Sequence, residues 1–295
     1  MNQDPDRRST IAKTGRSVLA LLPIKRLRHP PPVVGVLRLA GIIGQIGPLR
    51  RGLSLANLAG AIERAFKLTN LKAVALAVNS PGGSAVQSAL IAERIRVLAE
   101  EKDVPVFAFA EDVAASGGYW LATAADEIYA NENSLIGSIG VVSGGFGFPA
   151  LLRRLGIERR LHTAGEQKAI LDPFLAEKPD DVEKLGQIQA DIHGSFKDHV
   201  RRRRGTRLKA ADDELFSGAF WTGRRAQEMG LIDGIGDLRG IMRQRFGDDV
   251  KLRPVVAARP WWRRRAGRGA DAAEDWTAGL LAAVEERLWW GRFGL

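Results

Sequence analysis

Residues 71–83 read LKAVALAVNSPGG, and residues 104–118 read VPVFAFAEDVAASGG. Each opens with an apolar run of strand length, Leu71–Val78 and Val104–Phe109. Each closes in a glycine-rich turn, Asn79-Ser80-Pro81-Gly82-Gly83 and Ala114-Ala115-Ser116-Gly117-Gly118. A helix follows each turn: Val86, Leu90, Ile95 and Leu98 recur at helical spacing after the first, and a short helix runs through Ala124 after the second. Strand, glycine turn and helix in succession, twice, imply an α/β domain with a largely parallel sheet and flanking helices.

The same alternation extends outward. Val33–Leu39 reads as a buried strand and Ser54–Lys67 as a helix. Beyond the second unit come a strand at Glu127–Ala130, a helix at Leu151–Leu155 and an extended stretch at Ile157–Thr163. Val182, Leu185, Ile188, Ile192, Phe196 and Val200 mark a long amphipathic helix. Asp180 and Asp181 at its start and Arg201–Arg204 at its end suit the helix dipole. Short helices are expected at Arg224–Met229 and Leu238–Arg245. No internal repeat is visible, so residues 33–257 are expected to form one domain. Residues 1–32 read as a basic tail ending in His29-Pro30-Pro31-Pro32, where serial proline stops regular structure. Residues 258–295 read as a basic linker and an amphipathic helix carrying Trp276, Leu280, Val284 and Leu288, expected to pack on the domain or on a neighbouring subunit.

The chain has no cysteine, which excludes disulfides, thiolate metal sites and a cysteine nucleophile. Its formal charge is +10, but the excess gathers in the two terminal segments and in Arg201–Arg204. Solvated tails and a helix end account for it better than nucleic acid does, and no basic-aromatic interleaving or helix-turn-helix supports a nucleic-acid partner. Loose contact with an anionic membrane surface is the sharper use of such tails. No apolar run approaches the roughly 20 residues that span a bilayer. Ser17–Ile24 is too short and lacks a small-x-small cleavage site after it, so neither a transmembrane segment nor a signal peptide is expected. The expected location is cytoplasmic, with peripheral contact at the inner membrane as a secondary expectation.

Glycine turns at strand ends present backbone N–H groups beside a helix N-terminus, where an anion is favoured. A single such turn would be read as a tight turn and nothing more. Two at successive strand ends fit a site outside the carboxyl ends of a parallel sheet. Ser116 stands where strand meets helix, flanked by Ala and Gly, beside the Gly117 N–H; the Gly-x-Ser-x-Gly elbow pattern is not matched. A serine nucleophile needs a base. Of the four histidines, His29 lies in the proline tail, His162 in the extended stretch, and His193 and His199 on the long helix; they read as structural. Lysine is the other option, provided burial favours its neutral form. Lys168, in Thr163-Ala164-Gly165-Glu166-Gln167-Lys168, has the most site-like context among the lysines, though its spacing alone fits a surface lysine equally well.

These residues resemble the S49 serine peptidases, the family of signal peptide peptidase A, whose fold is shared with the ClpP and crotonase groups. The resemblance rests on Val78–Gly83, Ala115-Ser116-Gly117-Gly118-Tyr119, Gly137-Ser138-Ile139-Gly140-Val141, Gly165–Lys168 with Pro173, and Trp221-Thr222-Gly223 through Gly230-Leu231-Ile232-Asp233. They come in the family's order over residues 33–240. The resemblance implies Ser116 as nucleophile, Lys168 as general base, Ser138 orienting the lysine, and Gly83 with Gly117 as oxyanion-hole donors, Gly82 being the alternative to Gly83. It implies cleavage of unfolded or apolar peptides such as signal-peptide remnants, with no metal or cofactor. It also implies a homo-oligomer in which the serine and lysine of one site come from neighbouring subunits. Two features depart from the family pattern: no N-terminal membrane anchor is visible, and the extension from Pro260 has no counterpart. Two rivals share the fold: an acyl-CoA enzyme of the crotonase type, which leaves Ser116, Ser138 and Lys168 unexplained, and a catalytically inactive membrane-surface scaffold.

Overall fold

A computed structural model describes residues 30–44, 52–165, 167–256, 287 and 289–294. Residues 1–29 of the expected tail and the helix residues Trp276, Leu280, Val284 and Leu288 lie outside them. The elements are β1 (Val33–Ala40), α1 (Leu55–Ala65), β2 (Leu71–Ser80), α2 (Ala85–Lys102), β3 (Val106–Ala115), α3 (Gly117–Ala122), β4 (Glu127–Ala130), β5 (Leu135–Gly137), α4 (Pro149–Leu155), α5 (Pro179–Arg204), α6 (Asp212–Leu215), β6 (Phe220–Thr222), α7 (Gly223–Glu228), β7 (Gly234–Ile235), α8 (Leu238–Phe246) and β8 (Lys251–Val255).

The strands form one eight-stranded sheet in the order β6-β5-β3-β2-β1-β8, with β4 paired to β3 and β7. Every pairing is parallel except β5 with β6. The expected α/β architecture with a largely parallel sheet is thus met. Its apolar runs are unbroken because both faces are covered. Leu37, Leu39, Val74, Leu76, Val78, Val106 and Ala108 face the main core with α1, α2 and α3. The alternate residues Val34, Ala73, Ala75, Phe107 and Phe109 face a second core with Met242 of α8.

β3 is where the sheet forks. Its first half, Phe107–Ala110, pairs with β4, and its second half, Val113–Ala115, pairs with β5 on the same side. The fork carries the end of β3 away from β4 and sets it between β2 and β5. Three strand ends therefore come together, each followed by a glycine-bearing turn.

Several expectations change. Residues 157–163 form no strand and are exposed; no neighbouring strand offers them a ladder. In α2, Val86 and Leu90 are exposed, at 65% and 43%. The buried face is instead Ser88, Ile91, Ala92, Ile95, Leu98 and Ala99, whose small members let the helix approach the sheet closely. Arg201–Arg204 does more than complement a helix dipole. Arg204 is 3% exposed, ion-paired to Asp233 at 2.7 Å and donating to the Gly230 carbonyl at 2.8 and 3.0 Å. Arg203 donates to the carbonyls of Thr123 and Ala125 at 2.8 and 2.9 Å.

Candidate active site

β2, β3 and β5 deliver the site. Ser80 pairs with Ala114, and Ala115 with Gly137, so the turns after them are neighbours. After β3 the chain reverses into α3 through Ser116, which has φ +52° and ψ −122°. A non-glycine residue in that region stores about 1–3 kcal/mol and persists only where its surroundings fix it. Here the Ser116 N–H donates to the Gly137 carbonyl at 2.7 Å, and the Ser116 carbonyl accepts from the Trp120 N–H at 3.0 Å. Its side chain makes no helix-cap hydrogen bond, which leaves the hydroxyl available at the turn.

The turn after β2 packs directly on this elbow. Ile43 donates to the Gly82 carbonyl at 2.8 Å and accepts from the Ser84 N–H at 2.8 Å, forming a parallel bridge with Gly83. In that pattern the N–H of Gly83 itself points away from Ile43. Gly83 has φ +137°, and a Cβ there would sit 2.1 Å from the Ile43 carbonyl oxygen, so no other residue fits. The Gly82 N–H donates to Ser80 Oγ at 3.2 Å. Gly82 is thus engaged, whereas Gly83 lines the cleft with Ser116 and Gly117. Gly117 opens α3, where the first N–H groups of a helix have no internal acceptor. Among the described residues, neither the Gly83 nor the Gly117 N–H has a hydrogen-bond partner.

The cleft has a volume of about 440 Å³. Ser116, Ser138, Gly83 and Gly117 all line it, with Trp120, Val142, His193 and Phe196 around them. Ser138 is buried, with φ +51°, and its N–H donates to the Ala219 carbonyl at 2.6 Å. Trp120 stacks on Phe196 and on His199, each at 4.7 Å between centroids. Burial, then the charges of Arg202 and Arg203, push His199 down to about 4; its Nε2 lies 2.8 Å from Thr123 Oγ1, which is a structural role.

Lys168 does not line the cleft of its own chain. It is exposed, within the turn 167–171 that follows the irregular stretch. His193, by contrast, does line the cleft, with Nε2 3.1 Å from the Ile139 carbonyl. A carbonyl only accepts, so Nε2 is the donor in that contact. No signal in the linear sequence sets His193 in the Ser116 cleft; the α5 register does. Among the described residues no cluster of His, Asp or Glu could hold a metal ion.

The chain matches the model of Peptidase family S49 over residues 99–248. A Brucella abortus protein named as a Na(+)/H(+) antiporter NhaA is 46% identical over 299 residues, covering 98% of this chain and 40% of that protein. The chloroplastic serine protease SPPA of Arabidopsis thaliana is 33% identical over 213 residues, covering 70% of this chain and 31% of that protein. A solved structure, a point mutant of the 1510-N membrane-bound stomatin-specific protease, aligns with a TM-score of 0.46 at 15% identity, covering 77% of this chain and 99% of that one. This chain belongs to peptidase family S49, and its fold is α/β with a largely parallel sheet and flanking helices. It spans less than half the length of the two relatives named. The antiporter name belongs to a protein of which this chain matches 40% and is at odds with the S49 match. Among the described residues no helix is long and apolar enough to cross a membrane.

Proposed function

We propose that this chain is a serine endopeptidase with Ser116 as nucleophile, the Gly83 and Gly117 N–H groups as oxyanion hole, and Lys168 of a neighbouring copy as general base, oriented by Ser138. One observation carries the reading: a strained serine at a strand end shares a cleft with two unengaged N–H groups from separate turns. Donors fixed in advance around a developing oxyanion are the largest single source of catalysis in acyl transfer. The neutral lysine amine takes the Ser116 proton as Oγ attacks a peptide carbonyl. The tetrahedral oxyanion rests on the two N–H groups. The lysine then gives that proton to the leaving amine, and with water repeats the transfer to free the acyl group and regenerate Ser116.

Lys168 follows an exposed stretch in which several large apolar side chains face outward among charged ones. Val142, Phe146, Leu151, Leu155, Ile157 and Leu161 are all exposed, and exposed apolar residues in such number mark an interaction surface. Pairing that surface with another copy would enclose the lysine, and an enclosed amine is favoured in its neutral form. Substrates are proposed to be unfolded or apolar peptides such as signal-peptide remnants, acted on in the cytoplasm by the domain at residues 33–257, with peripheral contact at an anionic inner-membrane surface. Casein hydrolysis by the purified protein tests the reading. Wild type should cut, and Ser116→Ala and Lys168→Ala should each lose at least about a thousandfold in kcat. Equal cutting by all three would refute it.

A second reading is favoured by the lining of the cleft: His193, present in the same chain, serves as the base through Nδ1. It requires His193→Ala to abolish hydrolysis while Lys168→Ala retains it.

A further inference from the structure

The segment beyond residue 257 has no part in the chemistry above, yet its described end reaches the site. Trp289 and Arg292 line the Ser116 cleft. They are held there by their neighbours. Phe293 is 8% exposed and packs with Val113 and Ala115, the strand residues that lead into the nucleophile, and with Leu135 and Trp290. Its ring meets Phe220 edge-on at 5.0 Å. Trp289 packs against Ile42, next to the residue that fixes Gly83. The segment is thus anchored on both sides of the site, at the nucleophile strand and beside the oxyanion turn.

The chemistry it adds is distinctive. The remainder of the lining is glycine, small polar and apolar side chains, with His193 as the one titratable group. Among the described residues Arg292 is the single permanently charged side chain lining the cleft, and no carboxylate there pairs with it. It is exposed, with its guanidinium 6.0 Å from the Phe293 ring. A planar cation beside apolar walls binds a carboxylate in a fixed orientation.

We infer that Trp289 and Arg292 are specificity-determining residues of the Ser116 site, selecting apolar peptides that carry a carboxylate near the bond to be cut. Trp289 contributes apolar contact to any peptide, and Arg292 discriminates by charge. The carboxylate is that of an acidic side chain or of a peptide C-terminus. The inference rests on the Ser116 cleft being the substrate cleft, so its test is binding and not turnover.

Ser116→Ala protein, full chain, is titrated with three fluorescent peptides of one apolar sequence. The first carries Gln and an amidated end, the second Glu and an amidated end, the third Gln and a free carboxylate. At least one carboxylate peptide should bind about three- to fivefold more tightly than the neutral one, the range of a solvent-facing charge pair, with the preference shrinking as salt rises. Preference for the second identifies a side chain, for the third a C-terminus. Arg292→Ala should abolish the preference, Arg292→Lys should keep part of it, and Trp289→Ala should weaken all three peptides alike. Phe293→Ala, which loosens the anchor, should lose both effects. Equal binding of the three peptides, or a preference that survives Arg292→Ala, overturns the inference. If Ser116 is not the nucleophile, the casein assay fails while this binding preference stands.

Discussion

Ser116 and Gly83 hold the site together at the scale of single atoms. Ser116 keeps a left-handed backbone because Gly82 and Gly137 lie against it: a Cβ on Gly82 would come 2.8 Å from the Ser116 Cβ. Gly83→Ala places a methyl 2.1 Å from the Ile43 carbonyl at φ +137°. It should lower the melting temperature by an amount equal to at least about 2 kcal/mol and abolish hydrolysis; calorimetry and the casein assay read the two losses together. His199 gives a pH signature independent of catalysis. Its folded value is about 4 against an ordinary 6.5, so the unfolded chain binds more protons between those values. The resulting stability is present above about pH 6.5 and is lost as pH falls toward 4, up to about 3 kcal/mol. Thermal melts from pH 7.5 to 4.5 should show that slope, and His199→Gln should flatten it. The two turns that carry Ser116, Gly117 and the Gly82-Gly83 pair were legible in sequence because a strand, a glycine turn and a helix follow one another along the chain; which glycine of the pair lines the cleft was not. His193 was not, since it is brought to the cleft by the packing of α5 on α3, a relation that local spacing does not encode.

The longest helix shows the same division. The apolar period of α5 and its acidic first turn were readable, and so was the basic last turn. What the run Arg201–Arg204 binds was not, because its partners are carbonyls and an aspartate from other elements. Burial alone would push Asp233 up, but hydrogen bonds and charge from Arg204, with the Ile128 N–H and Arg207, outweigh it and hold the carboxyl below its ordinary value. Asp233 thereby ties the start of β4 to the end of α5, accepting from Ile128 N at 2.7 Å. Arg204→Met should cost about 3 kcal/mol by stranding that carboxylate. Adding Asp233→Asn should cost less than the sum of the two single changes in urea melts. In α2 one edge of the buried face lies elsewhere than expected: Val86 and Leu90 are apolar but lie outside it, while Ser88, Ala92 and Ala99 lie inside. Close approach of the helix to the sheet rewards small side chains over large ones, and hydrophobicity alone does not rank them that way.

At the scale of the whole molecule, Ser116, Gly83 and Gly117 share one cleft, while Lys168 is exposed outside it. The apolar segment from Val142 to Leu161 explains how the two meet only if a second copy covers it. Sedimentation should therefore give an assembly larger than one chain, and Phe146→Asp with Leu155→Asp should break it into monomers that no longer cut casein. The expectation of shared sites came from family resemblance, not from the residues, because nothing in one linear sequence distinguishes a lysine that turns inward from one that reaches a neighbour. The decisive measurement is complementation. Ser116→Ala and Lys168→Ala subunits, each inactive, are unfolded together and refolded at equal ratio. If each site takes its serine from one copy and its lysine from the next, about a quarter of the sites in the mixed assembly are intact, and hydrolysis returns to that fraction of wild type. If the mixture assembles and stays inactive, the lysine of one chain does not serve the serine of another, and the account is contradicted.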